Sequence, residues 1–264
     1  MPFVKLVLVA LIFCACNKLV VDERTKIVGH AAMGLNSSTS IYADNSYEAI
    51  QLALSFSGCS GIELDLQLDK QGQLWCYHDE LLDTKSTITG CINDHETATL
   101  NEVYYETIHR EKLVHLNPNL LNLFSTKLLF LDIRHLNACK NEQVNTLQMR
   151  DALLDLGIED KTNIFLITNN LDLLDLLSLN FNVFYASDNC EYGIEVLAQA
   201  PACKGLIIRN AVISSAQVKE IQAMNKEVAI FEVRSPKGTK SAFEKAPDYL
   251  LTDELRTALA LAND

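Results

Sequence analysis

Glu63 and Asp65 are two carboxylates that interrupt the apolar segment Gly61–Leu68. On a β-strand, residues at this spacing leave the same face of the backbone, so the two side chains lie next to each other. Neighbouring carboxylates repel each other and lose hydration on burial unless a cation or a proton lies between them. A divalent metal that prefers oxygen ligands, Mg²⁺ or Ca²⁺, removes this cost. The alternative interpretation is an edge strand with one face exposed to water.

The same spacing recurs in Asp132 and Arg134, which end the apolar segment Lys127–Arg134. These residues supply a third oxygen ligand and a cation. His30 ends another apolar segment and supplies an imidazole. We therefore expect charged groups from three strand ends to meet in one site.

The segment that follows the two carboxylates turns at Gln71-Gly72 and continues to His78. This turn is too short for a crossover to a parallel strand, so it predicts a hairpin. A two-residue turn pairs Asp65 with His78, and a register shifted by one residue also folds the imidazole back beside the two carboxylates. Asp79 either orients this imidazole or caps the next loop.

Two imidazoles, three carboxylates and a guanidinium group suit metal-assisted cleavage of a phosphodiester. The metal and the guanidinium group hold the phosphate. One imidazole takes a proton from the nucleophile, and the other gives a proton to the leaving alkoxide.

Alternating strands and helices are predicted to position these groups. The predicted strands are Lys26–His30, Gly61–Leu68, Lys127–Arg134, Asn163–Thr168, Asn182–Ala186, Gly205–Arg209, Val228–Val233 and Asp248–Thr252. The predicted helices are Tyr47–Phe56, Asn141–Leu156, Leu171–Leu179, Glu191–Ala198, Ser215–Met224, Lys240–Lys245 and Asp253–Leu261. With 264 residues, the pattern favours one (β/α)8 TIM barrel, in which strand ends build the active site. An open doubly wound sheet is the alternative.

Composition and the N-terminal segment restrict the location of the protein. A net charge of −12 argues against nucleic acid and against electrostatic docking on anionic lipid. Residues 1–16 read as a signal peptide, because the apolar run Leu6–Cys16 is too short to span a membrane. Phe13-Cys14-Ala15-Cys16 is similar to a bacterial lipoprotein box, with cleavage before Cys16 and lipidation of its sulfur; an ordinary signal peptide is the alternative.

These features predict an exported bacterial lipoprotein, periplasmic or associated with the outer membrane, whose only membrane contact is the lipid anchor. Residues 17–264 form its single domain. The exported chain keeps six cysteines, which we expect to meet an oxidising compartment: Cys59, Cys76, Cys91, Cys139, Cys190 and Cys203. Cys190 and Cys203 flank one helical segment and are a possible pair, although spacing alone does not settle the connectivity.

The order of the motifs resembles the glycerophosphodiester phosphodiesterase family, a branch of the phospholipase-C-like TIM barrels. The family pattern is His-Arg-Gly, Glu-Asn-Thr, Gly-x-Glu-x-Asp, Asp-Gly, His-Asp and Glu-x-Lys, with Trp-Thr-Val-Asn and Thr-Asp near the end. This chain reads Gly29-His30-Ala31-Ala32, Asp44-Asn45-Ser46, Gly61-Ile62-Glu63-Leu64-Asp65, Gln71-Gly72, His78-Asp79, Asp132-Ile133-Arg134, Phe231-Glu232-Val233-Arg234 and Thr252-Asp253.

The resemblance implies a role for each matching position. It makes His30 and His78 the acid–base pair, and it makes Glu63, Asp65 and Asp132 the ligands of Mg²⁺ or Ca²⁺. Arg134 stands in for the phosphate-binding lysine, Asn45 is a polar contact near the phosphate, and Phe231 is a wall of the substrate site. The implied substrate is a small-molecule or lysolipid phosphodiester.

Ala31 departs from the family, which has a phosphate-binding arginine at this position. Three interpretations stay open. The chain hydrolyses phosphodiesters with the metal and Arg134 alone, with a bulkier substrate over Ala31-Ala32. Alternatively, it is closer to the sphingomyelinase D-like branch, which forms a cyclic phosphate, or it is a non-catalytic phosphodiester-binding lipoprotein on the same fold.

Overall fold

A computed structural model describes residues 24–35, 37, 40–159 and 161–263 of the chain. The predicted signal peptide of residues 1–16, with the predicted lipidation site Cys16, lies outside the described residues. Within the described ranges, no helix is long and apolar enough to cross a membrane.

Twelve strands form in this part of the chain, and eight of them build a barrel. They are β1 (Lys26–Gly29), β2 (Gly61–Leu68), β3 (Leu74–Cys76), β4 (Val114–His115), β5 (Leu128–Ile133), β6 (Leu136–Asn137), β7 (Glu142–Gln143), β8 (Ile164–Thr168), β9 (Asn182–Ser187), β10 (Gly205–Arg209), β11 (Glu227–Val233) and β12 (Tyr249–Thr252). Strands β1, β2, β5 and β8 to β12 are paired in parallel, and β1 closes the barrel by pairing with both β12 and β2. The predicted TIM barrel is confirmed, because an open sheet would leave β1 and β12 as separate edges.

The described helices surround the barrel or lie in its loops. They are α1 (Tyr47–Ser55), α2 (Thr97–Leu100), α3 (Pro118–Leu121), α4 (Thr146–Asp155), α5 (Leu171–Leu177), α6 (Cys190–Gln199), α7 (Ser215–Ala223), α8 (Pro236–Phe243) and α9 (Leu255–Asn263). Two predicted starts are wrong for a local reason. Helix α4 begins after Asn145, whose side chain accepts the first free amides, and α8 begins four residues early at Pro236 behind the cap Ser235.

Four aromatic rings fill the barrel interior beneath the strand ends. Phe130, Phe165, Phe184 and Tyr249 come from four different strands, and their ring centroids lie 4.8 to 5.8 Å apart. Tilted and edge-on contacts between such rings stabilise a core beyond the burial of their area. The packed rings therefore restrict movement of the strands, and the polar side chains at the strand ends are carried by a rigid backbone.

The hairpin between β2 and β3 differs by one residue from its predicted register. Tyr77, not His78, lies opposite Asp65, and the Tyr77 amide donates to the Asp65 carbonyl at 3.0 Å. The loop holds three residues instead of two, because Gly72 takes a left-handed φ of 84° and Asp69 pairs with Gln73. His78 consequently follows the end of the strand.

A disulfide between Cys91 and Cys139 ties the long segment after β3 to the loop after β5. The proposed pair Cys190 and Cys203 is wrong, since both are buried free thiols. The Cys203 thiol instead donates to the carbonyls of Val183 and Gly205 at 3.4 Å.

Removing this disulfide is expected to lower the free energy of unfolding by roughly 4 kcal/mol, from the loop of 48 residues that it closes in the unfolded chain. Urea denaturation of wild type and of the Cys91→Ser/Cys139→Ser variant measures the difference. Dithiothreitol should reproduce the loss in the wild type and leave the variant unchanged. Equal stability of the reduced and oxidised wild type would contradict the prediction.

Candidate active site

A cavity of about 790 Å³ opens at the carboxyl ends of the barrel strands. All but one of the predicted non-lipidated site residues line it: His30, Glu63, Asp65, His78, Asp132, Arg134 and Phe231. The strand register explains part of this convergence, because Asp65 on β2 pairs directly with Asp132 on β5.

The three carboxylates form a compact group that is suited to a cation. Glu63, Asp65 and Asp132 each place an oxygen within 4.8 Å of the others. One oxygen of Glu63 accepts the Ala31 amide at 2.7 Å, whereas Oε1 is buried and has no hydrogen-bond partner among the described residues. Burial, followed by the charge of Asp65, raises the pKa of Glu63 well above its ordinary value. An unpaired buried oxygen beside two further carboxylates fits a hard divalent metal.

Arg134 borders this group on the β5 side. Its Nη1 donates to Asp132 at 3.3 Å and lies 3.7 Å from Asp65 Oδ1. Burial also raises the pKa of Asp132, although the guanidinium group counteracts the shift. Arg134 therefore compensates only part of the repulsion among the three carboxylates.

Asn45 lies behind the carboxylates and not on the cavity wall. Its side chain is fully buried, donates to Asp65 Oδ2 at 2.9 Å and accepts the Asp65 amide at 2.9 Å. The predicted contact with the phosphate is therefore corrected, because both polar ends of Asn45 are used to orient Asp65. Its left-handed φ of 59° is one that asparagine tolerates better than most residues.

His30 is held by a carboxylate from the far end of the chain. Its Nδ1 donates to Asp253 Oδ1 at 2.8 Å, and its Nε2 lies 3.8 Å from Glu63. Burial lowers the pKa of His30, but the hydrogen bond to Asp253 and the nearby carboxylates outweigh it and raise the pKa to about 9. Asp253 matches the Thr-Asp motif of the family pattern, but no role in the site was predicted for it.

His78 is held in the same way by its neighbour Asp79. The Nδ1–Oδ1 distance is 2.7 Å, and Thr84 and Lys85 contact the same carboxylate at 2.9 and 3.3 Å. The hydrogen bond from His78 keeps the pKa of Asp79 well below its usual range. Asp79 therefore orients the imidazole, which was one of its two predicted roles. Lys85 was missed because it lies in the loop segment that has no regular periodicity.

Gln67 also escaped prediction, although it continues the face of Glu63 and Asp65. Its amide nitrogen donates to the carbonyls of Tyr77 at 2.8 Å and Asp79 at 2.9 Å, the residues on either side of His78. The spacing of two residues along β2 was the signal that could have revealed it. Gln67 therefore fixes the backbone that carries this histidine.

The Gln67→Met substitution is expected to lower the turnover number by roughly 10- to 100-fold, because His78 loses its backbone support and shifts in the cavity. Steady-state kinetics of the variant measure this loss. Gln51→Met on the exposed face of α1 is the matched control and should behave as wild type. An unchanged turnover number in Gln67→Met would show that His78 does not depend on this side chain.

The opposite wall combines aromatic and charged groups. The ring centroid of Phe231 lies 6.4 Å from that of His30, and the Arg209 guanidinium carbon lies over the phenyl ring, 5.7 Å from its centroid. A bulge in β11 follows, where Glu232 takes a left-handed φ of 60°. Ala31 and Ala32 are fully buried and do not line the cavity. The idea that a larger substrate fills the space over them is therefore wrong.

Comparisons with known proteins identify the family of the chain. Residues 34–257 match the model of the glycerophosphoryl diester phosphodiesterase family. The glycerophosphodiester phosphodiesterase of Bacillus altitudinis is 25% identical over 243 residues, which cover 87% of this chain and 94% of that protein.

Solved structures show the same fold. An Oleispira antarctica phosphodiesterase in complex with the product sn-glycerol-3-phosphate has a TM-score of 0.76 at 16% identity, covering 90% of this chain and 97% of that one. The glycerophosphodiester phosphodiesterase of Thermotoga maritima has a TM-score of 0.69 at 20% identity, covering 90% and 98%.

Proposed function

Because the chain belongs to the glycerophosphoryl diester phosphodiesterase family, we propose that it hydrolyses a glycerophosphodiester with a divalent metal and two histidines. It is a phosphoric diester hydrolase by family; the metal dependence and the roles of the residues are the proposal. The observation that carries it is the group of three carboxylates with an unpaired buried oxygen, flanked in one cavity by two histidines that aspartates orient.

Glu63, Asp65 and Asp132 would hold the metal, and Mg²⁺ and Ca²⁺ both suit an all-carboxylate set. When bound, such an ion neutralises charge on the phosphate oxygens and makes the phosphorus more susceptible to attack. Asn45 keeps Asp65 in place from behind. Arg134 adds a charge-assisted hydrogen bond to the phosphate.

The two imidazoles move the protons. In each of them the Nδ1–H is held by an aspartate, so Nε2 is the atom left for the substrate. One of His30 and His78 takes a proton from the attacking oxygen, and the other gives a proton to the oxygen of the leaving alcohol. With water as the nucleophile, the products are glycerol phosphate and a free alcohol. Phe231 forms the apolar wall beside the reacting groups.

We also propose that the protein is an exported lipoprotein, anchored at Cys16 and folded as one domain from residue 17. The Cys91–Cys139 disulfide supports export, because disulfides persist mainly in oxidising compartments. The substrate would then be a small-molecule or lysolipid phosphodiester met outside the cytoplasm.

A protein that starts at Asn17 tests the function. It is assayed on a panel of glycerophosphodiesters and lysophospholipids with Mg²⁺, with Ca²⁺ and with EDTA, and the products are identified by mass spectrometry. We expect metal-dependent release of glycerol phosphate and free alcohol. A cyclic phosphate product would contradict hydrolysis and indicate sphingomyelinase D-like chemistry. A folded protein without turnover on any of these substrates would contradict the catalytic role.

A further inference from the structure

A phosphodiester bound beside the three carboxylates carries a negative charge, which a second cation on the side of the cavity away from β5 would help to bind. Arg134 follows β5 and already contacts both Asp65 and Asp132. On β1, the residue after His30 is the fully buried Ala31, which offers no charged group to the cavity. The β1 side of the phosphate therefore lacks a cation from its own strand.

Arg234 lines the cavity on the side away from Arg134. It follows β11, so β12, β1 and β2, which lead to Asp253, His30 and Glu63, separate it from Arg134 in the barrel. We propose that Arg234 binds the phosphate of the substrate from the His30 side. This inference rests on the proposed hydrolysis of a phosphodiester.

The guanidinium group of Arg234 keeps donors available for a ligand. Its Nε donates to Asp253 Oδ2 at 3.1 Å, while Nη1 lies 3.5 Å from Glu232 Oε1. The side chain is 49% exposed and is among the residues that line the cavity. A guanidinium group has five N–H donors in a planar fork, which matches the oxygens of a phosphate.

Asp253 fixes the position of this guanidinium group relative to the imidazole of His30. One oxygen of Asp253 accepts His30 Nδ1 and the Leu35 amide, and the other accepts Arg234 Nε. The carboxylate is only 1% exposed and bonded on both sides, so it spaces the two groups rigidly. A phosphate that reaches His30 therefore meets a fixed cation beside it.

A bulge in β11 sets the direction of the backbone that carries Arg234. The register of β11 against β12 shifts between Ile230 and Val233, and Glu232 within the bulge has a φ of 60°. After the bulge, Val233 pairs with Thr252, and the Asp253 amide donates to the Val233 carbonyl at 3.1 Å. Bulges beside active sites re-aim side chains, and left-handed non-glycine residues persist where the surroundings require them.

The test compares binding and turnover in wild type, Arg234→Gln and Arg234→Lys. Binding of sn-glycerol 3-phosphate is measured by titration calorimetry with Mg²⁺ or Ca²⁺ present, and KM and turnover number are measured on the preferred glycerophosphodiester. Arg150→Gln is the matched control, because Arg150 also pairs with an aspartate but lies on the outer helix α4. Thermal unfolding confirms that each variant is folded.

Arg234→Gln is expected to weaken binding of sn-glycerol 3-phosphate by about 10- to 100-fold and to raise KM accordingly. Arg234→Lys should lose less, since it keeps a point charge, and Arg150→Gln should lose nothing. A lower turnover number with unchanged binding would overturn the proposal, because Arg234 would then act only through Asp253 and His30. A wild type that binds no sn-glycerol 3-phosphate would also overturn it. A wild type that binds this ligand without hydrolysing any diester would refute the proposed function alone.

Discussion

The His30→Ala and His78→Ala variants should each turn over substrate roughly 10²- to 10⁴-fold more slowly than the wild type, the usual contribution of one positioned acid or base. Each imidazole lies in the cavity with Nδ1 fixed by a buried or half-buried aspartate, so neither can be replaced by a neighbour. Because the two groups serve one proton-transfer cycle, the double variant should lose less than the product of the two single losses.

His109→Ala is the matched control for these variants. His109 is exposed, makes a tilted ring contact with Tyr42 and does not line the cavity, so its removal should leave the turnover number unchanged. Melting temperatures verify that the variants are folded. If either active-site variant kept more than a tenth of the wild-type turnover number, that histidine would not be an acid or base in the reaction.

Removing divalent metal should abolish turnover and destabilise the protein. Binding at a concentration of 100 times Kd contributes about 2.7 kcal/mol to the free energy of unfolding. For a domain of this size, that corresponds to a rise in melting temperature of roughly 5–10 °C when Mg²⁺ or Ca²⁺ is added to EDTA-treated protein. Differential scanning calorimetry measures the shift, and the same samples are assayed for activity.

Glu63→Gln tests whether the metal binds at the three carboxylates. It keeps an oxygen for the Ala31 amide but removes a buried charge that repels Asp65 and Asp132. We therefore expect the metal-free variant to be more stable than the metal-free wild type, to gain little from added metal and to be inactive. Glu191→Gln, on the exposed face of α6, should match the wild type in all three properties. Full activity in EDTA, or no thermal shift with either ion, would contradict the metal site.

The barrel could be predicted from sequence because its strands are short apolar segments separated by helical periodicity. All eight barrel strands were predicted to within two residues at each end. The length of a loop and the first residue of a helix, which can depend on a single residue, were harder to predict. Gly72 in a left-handed conformation lengthened the hairpin loop by one residue, and Asn145 and Ser235 moved two helix starts.

The groups that touch the cavity were predicted better than the groups that support them. Glu63 and Asp65 share a two-residue spacing that recurs in Asp132 and Arg134, and this spacing pointed to the side chains that line the cavity. Asp253 acts through a hydrogen bond that spans 223 residues, and Lys85 contacts Asp79 from a loop segment without regular spacing, so no periodicity reveals either of them. Asn45 was placed near the correct group but on the wrong side of it, because sequence order does not show which side of Asp65 faces the cavity.

The hydrogen bond between His30 and Asp253 can form only late in synthesis of the chain, because the two residues lie far apart in sequence. At about 5–20 residues per second, a ribosome needs on the order of ten seconds or more to add the 223 residues between them. All three carboxylates precede that moment, so a nascent chain can carry the proposed metal ligands while His30 still lacks its partner. On the proposed mechanism, we expect activity to begin only when β12 has docked against β1, so the onset of turnover in a synthesis reaction reports closure of the barrel.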